Sequence, residues 1–145
     1  MWYLPVVDRL RHMIINPKED ALMTWWDDEC KVVDDVIAHP TDGTQWQRFD
    51  DKHKEFSADL RNVWFGLSTD GMNPFSERTN NHSTWPMILT MYNIPMWLCQ
   101  KRKYLLTILI SGPKQACIDI VVFLEPLMQE IERLWRYREP MYNAF

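Results

Sequence analysis

Asp70 is the residue whose type and position best suit chemistry. It follows an apolar stretch, Arg61 to Thr69, and precedes Gly71. A strand ending there would hold a carboxylate on rigid backbone at the rim of a sheet. Such an oxygen suits Mg²⁺, a hard cation that prefers carboxylates and keeps several of its waters. Asp-Gly is also an ordinary turn dipeptide, and spacing alone favours that use. The pairs Asp27-Asp28, Asp34-Asp35 and Asp50-Asp51 are adjacent in sequence. On a helix adjacent side chains diverge, so these pairs read as solvated faces. Asp119 precedes the last apolar run, where a negative charge suits a helix N-terminus. A cationic group, Lys101, Arg102 and Lys103 with Lys114, brackets the segment Tyr104 to Ile110 and is a candidate for phosphate contact, against the plainer reading of a solvated turn.

Other chemistries lack their residues. His12, His39, His53 and His82 show no HExxH or paired ligand spacing, so no zinc site is expected. There is no GxSxG, no glycine-rich phosphate loop and no nucleotide fingerprint, so no nucleotide cofactor is expected. Cys99 has no evident histidine partner and reads as a buried thiol.

The elements that must position these residues change character near residue 60. Before it the spacing is helical: Val6, Leu10 and Met13 up to Asn16-Pro17, then Leu22, Trp25, Trp26 and Cys30, then Trp46, Phe49, His53 and Phe56. Thr41 or Asp42 is the expected cap of the third helix. After residue 60 the pattern is extended. Arg61 to Thr69 alternates with apolar residues on both sides, which predicts a central strand. Trp85 to Tyr92 and Tyr104 to Ile110 predict two more. Phe123 to Trp135 returns to helical spacing, and Pro126 requires that helix to begin near Leu124 or to kink. The order is helices, then β-β-β-α, with connections too short for parallel crossovers. The fold class is therefore α+β, with a helical region over 1–60 and a second region over 61–145. Three strands and one helix make a thin sheet with an exposed edge, so the chain reads as truncated and inclined to self-association.

Composition agrees. The chain has 145 residues, of which 46% are hydrophobic and 25% charged, enough for one globular domain. Residues 1–60 carry 7 Lys/Arg against 13 Asp/Glu, and residues 61–145 carry 9 against 7. The acidic first part is therefore a poor nucleic-acid surface, because phosphate binding needs cationic charge. Cys30, Cys99 and Cys117 make no disulfide framework, which points to a reducing, intracellular setting. No apolar run reaches the roughly 18 residues of a membrane span, so no membrane partner is expected.

From Trp2 to about Tyr142 the chain resembles the transposases of the plant CACTA (En/Spm) superfamily. The motifs that carry the resemblance are WYLPVVDRLRHMIINPKEDALMTWW, HPTDGTQWQRFD, RNVWFGLSTDGMNPF, WPMILTMYNIPMWLC, KYLLTILISGPK and FLEPLMQEIERLW, in this order. The resemblance implies a DDE/D cut-and-paste transposase with an RNase H-like catalytic core, and residues 61–145 would be the β-β-β-α opening half of that core. It places the first catalytic, metal-binding aspartate on Asp70, expects Mg²⁺ or Mn²⁺ in the intact parent, transposon-end DNA as partner and a nuclear location. The next catalytic aspartate is expected beyond Phe145, and Val121 and Asn143 stand where similar sequences carry acidic residues. The implied function is a piece of a DNA-cutting transposase, inactive by itself. The alternative is a transposase-derived module that contacts protein or DNA without catalysis.

Overall fold

The computed structural model describes residues 1–28, 37, 39–75, 82–99, 104–112 and 120–138. In chain order the elements are β1 (Trp2–Tyr3), α1 (Val7–Ile15), α2 (Pro17–Met23), α3 (Trp25–Asp28), a 3-10 turn (Pro40–Asp42), α4 (Thr44–Lys52), α5 (Lys54–Ser57), β2 (Phe65–Thr69), β3 (Thr84–Met91), α6 (Met96–Cys99), β4 (Tyr104–Ser111) and α7 (Ile120–Tyr137). The fold is mixed α and β, with a four-stranded antiparallel sheet in the order β1-β4-β3-β2 and seven α-helices among the described residues. Two compact units are distinguishable. One comprises Met1–His12, Leu67–Leu89 and Leu105–Tyr142, and the other Met13–Gly66, Thr90–Tyr104 and Asn143–Phe145.

The first unit holds most of the sheet. β1 runs antiparallel to β4, with Trp2 opposite Leu109 and Tyr3 opposite Ile108. Met87 and Leu89 of β3, Leu105, Ile108 and Ile110 of β4 and Leu127 of α7 are buried. Period-two spacing puts Met87 and Leu89 on one face of their strand. Thr107 is also fully buried, and its hydroxyl donates to the Met87 carbonyl at 2.9 Å, which satisfies the hydroxyl inside the core. Glu130 of α7 ties down the N-terminal segment. Its carboxylate accepts from the Val6 and Val7 N–H groups at 2.9–3.0 Å and from the Tyr3 hydroxyl. It serves the free donors at the start of α1 as a cap from a distant helix. Arg9 completes the fastening, donating to the carbonyls of Leu4, Pro5 and Leu106 at 2.7–2.9 Å.

The second unit is built from short helices around aromatic rings. Asn16 caps α2, accepting from Lys18 N–H, with Pro17 at the first helical position where its missing N–H costs nothing. His39, with its side chain accepting from Thr41 N–H, caps the 3-10 turn, and the Asp42 carboxylate accepts from His39 N–H. Asn93, fully buried, donates to the carbonyls of Leu60 and Asn62 and accepts from Trp64 N–H at 2.7 Å. One amide side chain thus fastens the segment that leads into β2. Gly66 is required there by close approach, because a Cβ would strike the Tyr92 ring.

Four expectations need correction. The strand over 61–69 is shorter, Phe65–Thr69, and lies at the end of the sheet order rather than in its middle. Alternation shows that two faces are apolar, but not whether a strand has neighbours on both sides, and Leu67 is 45% exposed. The N-cap of the third helix, α4, is Gly43, without a side-chain bond, and not Thr41 or Asp42, which lie in a 3-10 turn capped by His39. Of the two outcomes expected at Pro126, a start near Leu124 is ruled out, because the last helix begins at Ile120 and runs through the proline. The second and third helical stripes are each interrupted, at Thr24 and at His53, because tertiary packing rather than a continuous helix aligns their rings. β1, a two-residue strand, has no periodicity to announce it.

Candidate functional site

Asp70 stands immediately after β2 and is exposed. The chain two residues on is held: Met72 N–H donates to the Thr84 carbonyl at 2.9 Å, and Thr84 N–H donates to the Met72 carbonyl at 2.8 Å. The Trp85 indole covers Gly71, where a Cβ would come within 2.8 Å of the ring. Glycine at 71 therefore lets an aromatic plate close over the backbone beside Asp70. Further along the same loop, Phe75 and His82 meet edge to face with centroids 5.2 Å apart. The His82 Nδ1 and Trp85 Nε1 atoms are buried without a hydrogen-bond partner among the described residues. The arrangement presents one carboxylate to solvent from an anchored strand end.

That carboxylate alone does not make a metal centre. Among the described residues no group of three or more His, Cys, Asp or Glu could hold a metal ion. Paired divalent ions need several oxygen ligands, so the described residues do not fit a two-metal site by themselves. Lys101, Arg102, Lys103, Lys114 and Asp119 lie outside the described residues, as do Cys30, Cys117 and Asp34-Asp35. Cys99 is buried, its thiol donating to the Met96 carbonyl.

A second constellation was not legible in the sequence. Trp46 stacks on Trp64 with centroids 4.0 Å apart and planes 22° from parallel. Trp26 meets Trp46, and Phe49 and Phe56 meet Trp64, all edge to face. A shallow open recess, with room for about one water-sized group, is lined by Trp26, Trp46, Phe56 and Trp64 together with Asp50, Ser57, Asp59, Leu60 and Asn62. Burial raises the Asp50 carboxyl above its ordinary value, a hydrogen bond from the Trp46 side chain opposes the rise, and the neighbouring Asp51 charge adds to it. Asp59 is instead lowered, chiefly by the Arg61 guanidinium that grips it through two N–H groups at 3.0 and 3.1 Å. Asp50 is therefore not part of the solvated pair that its adjacency to Asp51 suggests, since it is half-buried while Asp51 is exposed. Its half-buried place follows from α4 turning Trp46 and Asp50, four residues apart, to the same side.

His39 is buried beside these rings, edge to face with Trp25 and Trp46. Burial lowers its pKa, while the Asp42 charge and the backbone carbonyls of Ile94 and Tyr92 pull the other way.

Residues 34–145 match the family described as transposase family tnp2. The chain belongs to the tnp2 transposase family. The matched stretch takes in the anchored strand end with Asp70 and most of the aromatic recess of this tnp2-family chain, with Trp26 just outside it. No curated protein and no solved structure gives a significant match. Among the described residues, no helix is long and apolar enough to cross a membrane.

Proposed function

We propose that this tnp2-family chain is a catalytic-region segment of a cut-and-paste DNA transposase of the CACTA type. In this reading a helical region over 1–60 precedes the opening half of an RNase H-like core over 61–145. Asp70 supplies one carboxylate of a DDE/D set that holds Mg²⁺ or Mn²⁺ in the intact parent, and the other ligands lie elsewhere in that parent. When bound, such ions activate the attacking oxygen and stabilise the leaving one. Transposon-end DNA is the partner, with Lys101, Arg102, Lys103 and Lys114 as phosphate contacts, and the working compartment is the nucleus. Self-association is part of the same reading, since Leu67, Val121, Val122 and Trp135 expose apolar surface.

The observation that carries the reading is the placement of Asp70. An exposed carboxylate directly follows β2, with a tryptophan laid over the next residue and the one after that, Met72, pinned to Thr84. Three successive strands and a helix along the chain support the RNase H-like comparison. The test is a Mn²⁺ titration followed by paramagnetic broadening of backbone signals. Broadening centred on residues 69–71 and removed by Asp70→Asn is the expected result. Broadening centred elsewhere would take away the metal site while leaving the family unchanged. In parallel, the 145-residue chain is expected not to cleave linear or nicked duplex with Mg²⁺, and cleavage lost in Asp70→Ala would overturn that expectation.

A further inference from the structure

The recess of the helical unit has a composition suited to a cation. Its walls include the rings of Trp26, Trp46, Phe56 and Trp64, and among the described residues its ionisable liners are Asp50 and Asp59, with no Lys or Arg. Aromatic faces attract cations through the ring quadrupole, most strongly for tryptophan. The two aspartates differ in availability. Both oxygens of Asp59 are engaged by Arg61, while Asp50 receives a bond from the Trp46 side chain. An ionised carboxylate accepts about four hydrogen bonds in all, so Asp50 retains acceptor capacity toward an incoming donor.

Size narrows the cation further. The recess has room for about one water-sized group and is open to solvent on one side. A primary ammonium is that size, whereas a planar guanidinium and a trimethylammonium are larger. The open part would hold a hydrocarbon stem along the indole surfaces, as lysine stems lie along apolar surface elsewhere. Residues 1–60 carry 13 acidic against 7 basic residues, which favours the approach of a basic segment.

We propose that the Trp26–Trp46–Phe56–Trp64 recess is a binding site for a lysine side chain of a partner peptide, with Asp50 as the counter-charge. The ε-ammonium donates to the Asp50 carboxylate, and its stem covers the indoles. This site is separate in residues and in chemistry from the Asp70 proposal, and either stands without the other.

The experiment uses the 145-residue chain labelled with ¹⁵N and follows its indole N–H signals, assigned by single Trp→Phe substitutions. The titrants are a capped Gly-Lys-Gly peptide and its norleucine, arginine and trimethyllysine counterparts. The Trp46 and Trp64 signals are expected to move with the lysine peptide and to stay in place with norleucine. Asp50→Asn is expected to weaken lysine binding about tenfold, the worth of a charge-assisted hydrogen bond, while Asp51→Asn on the exposed neighbour leaves it unchanged. Equal shifts with norleucine would make the recess merely apolar, and equal affinity for arginine or trimethyllysine would remove the size argument. No shift with any peptide would mean that the recess holds water only. Each of these three outcomes overturns the proposal. Should Asp50→Asn fail to fold, the four peptides on the native chain decide the matter.

Discussion

In the sheet unit, Glu130 collects two backbone N–H groups and a tyrosine hydroxyl from a segment about 124 residues earlier. In the helical unit the corresponding work falls to rings: Trp46 contacts Trp26, His39 and Trp64, and Trp64 in turn contacts Phe49 and Phe56. The difference follows from the elements available. Paired strands satisfy their own backbone groups, so a sheet needs fastening only at its ends. Helices of four to nine residues satisfy few of theirs and are marginal alone. They depend on the burial of large side chains and on side chains such as Asn93 that bond passing backbone. The first region should therefore fail by losing a polar fastening at its end, and the second by losing ring volume or the Asn93 bonds inside it.

The largest effect is expected from Trp46→Ala. It empties a nearly buried site at the centre of the rings and should cost about 3–5 kcal/mol in urea unfolding, enough to melt the helical unit at room temperature if that unit is marginal. A loss below about 1 kcal/mol would mean that the rings are ornament to some other core. Next comes Asn93→Ala, which strands one N–H and two carbonyls around a buried position, for a loss of about 3 kcal/mol. If the polar link from Asn93 matters as argued, Asn93→Leu, similar in bulk, should fare no better.

Glu130→Ala tests the sheet side of the contrast and should cost about 2 kcal/mol, because the start of α1 loses its cap. Amide exchange should quicken at Val6 and Val7 while β3 stays protected. Equal quickening throughout the sheet would show that Glu130 is not a local fastening.

Acidification should touch the helical unit through His39. Its folded pKa is lowered by burial from the ordinary 6.5. Below that value the unfolded chain binds a proton more readily than the folded one, so stability falls as pH drops beneath 6.5 and levels off once the folded pKa is passed. His39→Gln should flatten this limb of the stability profile, measured by urea midpoints between pH 7 and pH 4. The smallest effect is expected from Asp70→Asn. An exposed carboxylate at a strand end holds nothing in place, so the melting midpoint should not move. A clear shift would turn Asp70 from a candidate ligand into a structural residue.

Much of the sheet was legible beforehand. Residues 84–91 and 104–111 carry β-branched and apolar runs bounded by turn residues, and these local signals survive folding because a paired strand imposes them. The place of Asp70 after a strand was legible for the same reason. The tnp2 match over 34–145 agrees with the transposase resemblance of the quoted motifs.

The aromatic recess was not legible, although every one of its rings lies in a stripe or strand that the sequence displays. Helical spacing predicted that Trp46, Phe49, His53 and Phe56 share a side, and they do share contacts, but on two helices broken at His53. What periodicity lacks is the partner. Trp64 comes from the approach to β2 and Trp26 from α3, and only the folded chain brings them to Trp46. The same holds for Glu130 and Val6, for Asn93 and Trp64, and for β2 at the end of the sheet order. A residue's preference for strand, helix or burial is set by its own covalent structure and near neighbours, so sequence alone determines it. Which distant group satisfies a buried donor or stacks on a ring depends on loop closures among many alternatives of similar local energy, and only tertiary packing selects among them.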